Sequence, residues 1–277
     1  MTYTLTTGTY TKSIFQSGEL NIQVIGNYNF DSTITGSPQS SDDIMELLCL
    51  VDALRRSHTT ELSLVMPYCM YSRDDRVCLP GQQLGAAVFA QLINSCNFLS
   101  VTTIDNHSDV ITALINNCCN ISKLDIFNRP IGATDLSDYD YIVAPDAGSI
   151  KGLQQLSTHF QVPMLRADKT RNLITGNISG TVVYCDDLDN ANVIIIDDII
   201  AGGRTMLELA KSLKLKGAGN ITVFCTHGFF SSGIDNMIKA GVTKFITTNS
   251  VISDTIIDSA KSLSKYIGYS PLEIIEL

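Results

Sequence analysis

Residues 193–196 are four consecutive β-branched residues, VIII, and they lead directly into the carboxylates Asp197 and Asp198. An apolar run without polar alternation is typical of a strand that is buried on both faces. Similar runs recur along the chain, within residues 61–69, 98–107, 139–148, 162–169, 221–228 and 244–250. Strands of this kind occur in parallel sheets whose two faces are covered by helices, so the chain is restricted to the α/β folds.

Amphipathic segments lie between these strands. Residues 42–57 repeat apolar side chains at helical spacing, with Asp42 or Asp43 as the predicted N-cap. Further helices are predicted over residues 84–96, 110–118, 149–160, 205–217 and 234–241. We therefore expect two α/β domains, residues 1–127 and 128–277, each a mainly parallel sheet flanked by helices.

The charge and composition disfavour several classes of protein. The 277 residues carry a net charge of −9, which argues against binding to nucleic acid or to an anionic membrane through the overall field. Residues 1–20 lack a charged segment followed by an apolar core, and no later apolar stretch approaches the roughly 20 residues that span a bilayer. The eight cysteines include no C-x-x-C pair, so we expect buried thiols in a reducing compartment. These features predict a soluble, cytoplasmic protein.

Polar residues follow five of the predicted strands. In sheets of this type, ligands bind beyond the carboxyl ends of the strands. A single aspartate or glycine at such a place is usually a helix cap or a turn residue. Five strand ends that combine acids, bases and glycines indicate a ligand site, and they comprise residues 67–76, 104–109, 144–148, 165–172 and 197–205.

The last of these segments, DDIIAGGRT, has the composition of a phosphate-binding turn. Its glycines allow backbone N–H groups to converge on an anion at the start of a helix, which we expect near Thr205 with the Thr205 hydroxyl as its cap. Asp197 and Asp198 can accept sugar hydroxyls or hold a divalent cation. The chain contains no G-x-x-x-x-G-K-[ST] motif, and residues 217–222, GAGNIT, lack the third glycine of a dinucleotide-binding motif.

A strand, two acids, a glycine-rich turn and a helix together are similar to the loop that binds phosphoribosyl diphosphate in the phosphoribosyltransferase superfamily. Most of the chain resembles the ribose-phosphate pyrophosphokinase family, whose motif order is followed by MELLCLVDALRRS, MPYCMYSRDDR, IDNHSD, APDAGSIKG and DKTR. The resemblance implies two domains of phosphoribosyltransferase-like type. It also implies a homo-oligomer, in which an early hairpin completes the ATP site of a neighbouring subunit.

The resemblance assigns the catalytic residues by position. His107 and Asp146 match the family's ligands of a catalytic Mg²⁺. Lys169 and Arg171 match the two cations of the family's catalytic loop, which stabilise the diphosphoryl group during transfer. This role is physically reasonable because charge spreads over the phosphoryl oxygens in the transition state.

The ATP site of the family corresponds to Phe15 and Glu19 in the early hairpin and to Arg73 and Asp74 in YSRDDR. Two positions depart from the family pattern, because Ser17 stands at an acid and Asp74 stands at a glutamine. Stacking of adenine on Phe15 remains possible in this pattern. The alternative for Phe15 is an ordinary core aromatic residue.

The family's ribose-phosphate loop, DD-x-x-DTGGT, aligns with seven predicted binding residues of this chain, Asp197, Asp198, Ala201, Gly202, Gly203, Arg204 and Thr205. Ala201 replaces an acid, Gly202 replaces a threonine and Arg204 replaces a glycine. The loop has therefore lost one negative charge and gained one positive charge. Arg204 could bind phosphate bidentately.

The predicted reaction transfers the β,γ-diphosphoryl group of Mg-ATP to the anomeric 1-hydroxyl of ribose 5-phosphate, which gives phosphoribosyl diphosphate and AMP. One alternative acceptor is a 5-substituted ribose phosphate such as ADP-ribose. A second alternative is a catalytically silent regulatory subunit. A phosphoribosyltransferase would explain residues 197–205 but not the segments around Arg73, His107 and Lys169. The expected partners are small-molecule substrates and further copies of the chain, with no nucleic acid and no membrane.

Overall fold

The computed structural model describes residues 2–26, 30–128, 135–171 and 178–277, and at 169–171 and 178–180 it describes the backbone alone. The chain forms two compact units, Met1–Ser122 and Lys123–Leu277. Each unit contains a sheet of predominantly parallel strands flanked by helices, so the predicted α/β class is confirmed.

The first unit contains a five-stranded sheet in the order β1-β4-β5-β6-β7 and a separate hairpin, β2–β3. Its elements are β1 Thr4–Leu5, β2 Thr9–Ile14, β3 Leu20–Ile25, β4 Asp31–Thr35, α1 Ser41–Arg56, β5 Glu61–Met66, α2 Gly85–Ser95, β6 Ser100–Ile104, α3 Asp109–Leu114 and β7 Cys118–Ile121. The pairs from β4 to β7 are parallel, whereas β1 pairs antiparallel with β4.

Helix α1 follows the predicted amphipathic pattern, but its cap differs. The N-cap is Ser40, whose Oγ accepts a hydrogen bond from the Asp43 backbone N–H at 3.2 Å. The Asp43 carboxylate accepts in return from Ser40 Oγ at 2.8 Å. The prediction of Asp42 or Asp43 as the cap was therefore wrong, because a serine just before the acids can satisfy the same backbone donor.

The second unit contains a seven-stranded sheet in the order β10-β9-β8-β11-β12-β13-β14. Its elements are α4 Lys123–Phe127, β8 Tyr141–Ala144, α5 Ile150–Phe160, β9 Met164–Arg171, β10 Ile178–Val183, β11 Val193–Ile200, α6 Arg204–Leu215, β12 Ile221–Gly228, α7 Asp235–Lys239, β13 Val242–Thr248, α8 Asp254–Ile267 and β14 Leu272–Ile275. Every neighbouring pair is parallel except β9 with β10.

Strand β11 lies in the middle of this sheet, and this position explains the apolar run with which the strand begins. The side chains of residues 193–196 are completely buried. The strand does not end at Asp198, as the sequence suggested, because Ile199 pairs with His227 and Ile200 with Gly228 of β12. The two carboxylates therefore lie within a paired strand.

Neither a disulfide nor a membrane-crossing helix occurs in the described residues. All eight cysteines are free thiols, and Cys69, Cys96 and Cys225 are buried as expected. Cys78 and Cys119 are exposed, so the prediction of buried thiols was wrong for these two. No described helix is both long enough and apolar enough to cross a membrane.

Candidate active site

The turn between β11 and α6 has the backbone geometry of an anion-binding site. Helix α6 begins at Arg204, and its N-cap is Gly203 with φ of 81°, a left-handed conformation that favours glycine. A Cβ atom on Gly203 would also lie 2.8 Å from Cε of Met237. No side chain caps the helix, so the predicted cap at Thr205 was wrong. An uncapped helix start leaves its first backbone N–H groups for a ligand.

Asp197 and Asp198 are half-buried in the strand that leads into this turn. The Asp198 backbone N–H donates to Asp197 Oδ1 at 3.0 Å. Burial, followed by the neighbouring charge of Asp198, raises the pKa of Asp197 well above its ordinary value, and Lys123 opposes this shift. The carboxylate oxygens of the pair can accept hydrogen bonds from the hydroxyls of a sugar.

A segment that the sequence reasoning missed lies beside this turn. Ser231 follows β12, and both its backbone N–H and its Oγ donate to the Ala201 carbonyl oxygen, at 2.8 and 3.3 Å. Ser232 Oγ lies 3.3 Å from the position that a Cβ of Gly202 would occupy. The sequence does contain a signal for these serines, because the predicted strand over residues 221–228 also ends in polar residues and is a sixth strand end of this kind.

Lys169 and Arg171 belong to a hairpin instead of the loop that the sequence predicted. Strand β9 continues to Arg171 and pairs antiparallel with β10, so that Lys169 lies opposite Thr181. The connection over residues 172–177 and the side chains of both cations lie outside the described residues. Their catalytic roles therefore stay predictions.

Asp146 and His107 follow parallel strands in the two separate units. The Asp146 carboxylate is half-buried just beyond β8, and its Oδ1 accepts from the backbone N–H groups of Gly148 at 3.1 Å and Ser149 at 3.2 Å. These bonds orient a carboxylate, which is the type of ligand that Mg²⁺ prefers. His107 follows β6 and is exposed. Its imidazole nitrogen is a less favourable ligand for this hard cation.

The described residues fit a magnesium ion that arrives with a nucleotide. They contain no group of three or more histidine, cysteine, aspartate or glutamate side chains that could hold a metal ion by themselves. Mg²⁺ is commonly bound by one or two carboxylates together with waters and substrate phosphates. Asp146 suits that mode of binding, and the metal role of His107 remains a prediction.

The early hairpin presents Phe15 at its tip. The turn is closed by hydrogen bonds from the Phe15 N–H to the Glu19 carbonyl oxygen at 2.9 Å and from the Gly18 N–H to the Phe15 carbonyl oxygen at 2.8 Å. Ser17 Oγ donates to the Glu19 carboxylate. The Phe15 ring is 57% exposed, so it is not a core aromatic residue. An exposed ring of this kind can stack on a nucleotide base.

A buried glutamate anchors this hairpin to α1. Glu46 is fully buried, and its carboxylate accepts hydrogen bonds from Tyr10 Oη at 2.5 Å and from Lys12 Nζ at 2.6 Å, both on β2. Burial by itself would raise the pKa of Glu46, but the bonds from Lys12, Tyr10 and Thr2 outweigh it and keep the pKa below its ordinary value. The sequence did not indicate this residue, because a glutamate in an amphipathic helix is usually exposed.

Asp74 has a structural role in the loop before α2. Its Oδ2 accepts from the Gly85 backbone N–H and from Gln83 Nε2, each at 3.1 Å. The N-cap residue of α2, Leu84, provides no side-chain hydrogen bond. The Asp74 carboxylate instead accepts from the first backbone N–H of the helix, as an N-cap side chain would. The neighbouring Arg73 is exposed. The nucleotide-binding roles of both residues stay predictions.

We expect Asp74→Ala to lower the free energy of unfolding by about 1 kcal/mol, because the first turn of α2 loses its acceptor. Chemical denaturation should detect the change. The matched control is Asp75→Ala, which removes the adjacent carboxylate and should cost less. Equal stability of the Asp74→Ala variant and the wild type would show that the cap does not contribute.

The geometry of the second unit defines a class of protein. A half-buried pair of acids in a central parallel strand, followed by a left-handed glycine and an uncapped helix, is typical of α/β proteins that bind a phosphorylated ligand at the carboxyl ends of their strands. Residues 3–96 match the N-terminal domain of ribose phosphate pyrophosphokinase, and residues 145–269 match the phosphoribosyl synthetase-associated domain. The chain belongs to the ribose-phosphate pyrophosphokinase family.

Individual relatives agree with this assignment. The chain is 31% identical over 251 residues to the ribose-phosphate pyrophosphokinase of Agrobacterium fabrum, and the alignment covers 88% of this chain and 79% of the relative. It is 32% identical over 247 residues to the enzyme of the same name from Campylobacter jejuni, and the alignment covers 87% of this chain and 77% of that relative. The crystal structure of phosphoribosylpyrophosphate synthetase from Mycobacterium smegmatis has the same fold, with a TM-score of 0.77 and 19% sequence identity. The superposition covers 97% of this chain and 86% of that structure.

Proposed function

We propose that the protein transfers the β,γ-diphosphoryl group of Mg-ATP to the anomeric hydroxyl of ribose 5-phosphate, which gives phosphoribosyl diphosphate and AMP. Family membership makes the chain an enzyme of the ATP-dependent diphosphotransferase class. The observation that carries the proposal is the turn between β11 and α6, where two acids precede an uncapped helix start. This arrangement provides acceptors for ring hydroxyls and backbone donors for a phosphate.

In this proposal, residues 201–205 hold the 5-phosphate while Asp197 and Asp198 bind the ring hydroxyls. The substrate is thereby oriented with its 1-hydroxyl toward the β-phosphorus of ATP. The hydroxyl oxygen forms a bond to that phosphorus in line with the bond that breaks to the α-phosphate oxygen, and AMP departs. The hydroxyl proton is released to solvent water as the new bond forms. Orientation of this kind supplies a large part of the rate acceleration in phosphoryl transfer.

Cations stabilise the charge that develops during the transfer. Lys169 and Arg171 are proposed to contact the phosphoryl oxygens as the bond to AMP breaks. Asp146 and His107 would hold the Mg²⁺ that neutralises phosphate charge. Such electrostatic interactions are worth most in the transition state, because positioned charges need no reorganisation at that point.

Adenine is proposed to stack on Phe15, with Glu19 and Arg73 nearby in the nucleotide site. Ile14 and Phe15 are 67% and 57% exposed at the tip of the hairpin. Adjacent apolar side chains at this level of exposure favour burial against another surface. They support a homo-oligomer in which the hairpin of one copy contributes to the ATP site of the next.

A second candidate function is the same transfer to a 5-substituted ribose phosphate such as ADP-ribose. The observation that favours it is Arg204, which is exposed at the first position of α6. A guanidinium group can bind phosphate bidentately. In this candidate function Arg204 would bind the second phosphate of the acceptor.

The acceptors are compared by measuring kcat/KM for AMP release with ribose 5-phosphate and with ADP-ribose, in the wild type and in Arg204→Gly. We expect the wild type to prefer ribose 5-phosphate and the substitution to change that preference little. The control variant, Lys211→Ala, removes another cation from the exposed face of α6. A wild-type preference for ADP-ribose that Arg204→Gly abolishes would instead establish the second candidate. No AMP with either acceptor would favour a silent subunit.

A further inference from the structure

The position of Gly202 is restricted by a neighbouring side chain and not by its backbone. Gly203 has a positive φ, whereas Gly202 does not, so another residue could adopt the backbone conformation of Gly202. A Cβ atom at Gly202 would lie 3.3 Å from Ser232 Oγ and 3.8 Å from Ser231 Oγ. The nearer contact is tight, so a side chain at position 202 would require Ser232 to shift by a few tenths of an ångström.

The segment that carries Ser232 is fixed to the core of the second unit. Phe230 is completely buried and packs edge-on against Phe245, with ring centroids 5.6 Å apart. The Gly233 N–H donates to the Phe230 carbonyl oxygen at 2.7 Å, which closes a turn around the two serines. Ser232 is itself exposed beside the phosphate-type turn. A buried aromatic residue therefore anchors the backbone next to this exposed serine.

The two serine hydroxyls differ in what they contact. Ser231 Oγ donates to the Ala201 carbonyl oxygen and so stabilises the protein turn. Ser232 Oγ donates to no residue among those that the structure describes. The Ser232 hydroxyl oxygen lies next to the turn residue that has no side chain, 3.3 Å from the position of its missing Cβ atom. A ligand at this turn would therefore lie close to the Ser232 hydroxyl.

We propose that Ser232 binds the 5-phosphate of the acceptor and supplies the hydroxyl that the turn lacks at Gly202. This inference rests on the proposed function, because it takes the turn between β11 and α6 as the phosphate site. Gly202 contributes no side chain to this turn, and Ser232 Oγ lies 3.3 Å from the position that a Cβ atom at Gly202 would occupy. A hydroxyl that donates to a phosphate oxygen makes a charge-assisted bond, which is stronger than a neutral one.

The first test measures steady-state KM for ribose 5-phosphate and for ATP in Ser232→Ala. The KM for ribose 5-phosphate should rise about tenfold while the KM for ATP stays within about twofold, because one bond to a charged group is lost. Ser231→Ala is the matched variant and should have the smaller effect on KM. Titration calorimetry with ribose 5-phosphate in the absence of ATP should show the same weakening in Kd.

The second test exchanges the two side chains. Gly202→Thr alone should raise the KM for ribose 5-phosphate, because the threonine crowds Ser232. The double variant Gly202→Thr with Ser232→Gly should restore KM to within about threefold of the wild type, since space and hydroxyl are both present again. Gly203→Thr is the control, and Ser232→Gly should not rescue it because Met237 and the positive φ obstruct that position.

The outcomes separate this inference from the function on which it rests. If the wild type turns over ribose 5-phosphate and Ser232→Ala has an unchanged KM, the inference alone is overturned. A double variant no better than Gly202→Thr, with thermal unfolding unchanged, would also overturn it. If the wild type neither binds nor uses a ribose phosphate, the proposed function fails and the inference fails with it. If ADP-ribose is the acceptor, the same variants are tested with ADP-ribose.

Discussion

Replacing Lys169 with alanine is expected to lower kcat about a thousandfold, which is the usual cost of removing a group that stabilises transition-state charge. The Kd for ATP should change little, because the proposed contact strengthens only as the diphosphoryl group leaves AMP. Loss of an interaction that binds the substrate and the transition state equally would instead raise KM without lowering kcat.

This effect is best measured in single turnovers, where chemistry is separated from product release. The control is Lys211→Ala, since Lys211 pairs with Glu208 on α6 at 2.9 Å and has no proposed role in the reaction. A Lys169→Ala variant with kcat close to that of the wild type would remove Lys169 from the mechanism.

Asp146→Asn is expected to raise the Mg²⁺ concentration for half-maximal rate by at least about tenfold, because the amide retains the shape of the carboxylate without its charge. The fold should be preserved, since an amide oxygen can still accept from the Gly148 and Ser149 N–H groups. His107→Ala should shift the magnesium requirement in the same direction.

The magnesium titration is compared with that of Asp140→Asn. Asp140 precedes β8, and its carboxylate accepts from the Asn192 N–H at 2.8 Å, so this control alters a similar group at the opposite end of the same strand. Identical magnesium dependence in Asp146→Asn, His107→Ala and the wild type would contradict the metal assignment.

Local pattern was enough to predict the class of fold. The run from Val193 to Ile196 required burial on both faces, and the structure places it in the centre of a parallel sheet. The helix over 42–57 was found within one residue at each end, as Ser41–Arg56. Both results follow because periodicity reports which faces of an element are buried.

Contacts between distant segments could not be predicted from the same signals. Strand β10 was not predicted, because its residues contain no long apolar run. It is defined by its backbone pairing with β9, which local sequence does not indicate. The uncapped start of α6 depends on a left-handed glycine that needs no cap from Thr205. The proximity of Ser232 to Gly202 joins residues 30 positions apart in sequence, and only the folded sheet brings them together.

The burial of Glu46 shows the same limit for charged residues. Its position in an amphipathic helix is compatible with solvent, and only the approach of Tyr10 and Lys12 from β2 makes a fully buried carboxylate stable. A buried charge persists only where partners satisfy it. Such partners come from tertiary packing, which a single sequence does not reveal.

In the proposed reaction, two phosphoryl groups move together from ATP to the anomeric oxygen of a ribose phosphate. The most direct test supplies ATP labelled at the β-phosphorus, with and without ribose 5-phosphate, and locates the label in the products. We expect unlabelled AMP and label in phosphoribosyl diphosphate, formed only when the acceptor is present. Label in ADP would mean transfer of the γ-phosphoryl group alone and would contradict the proposed reaction.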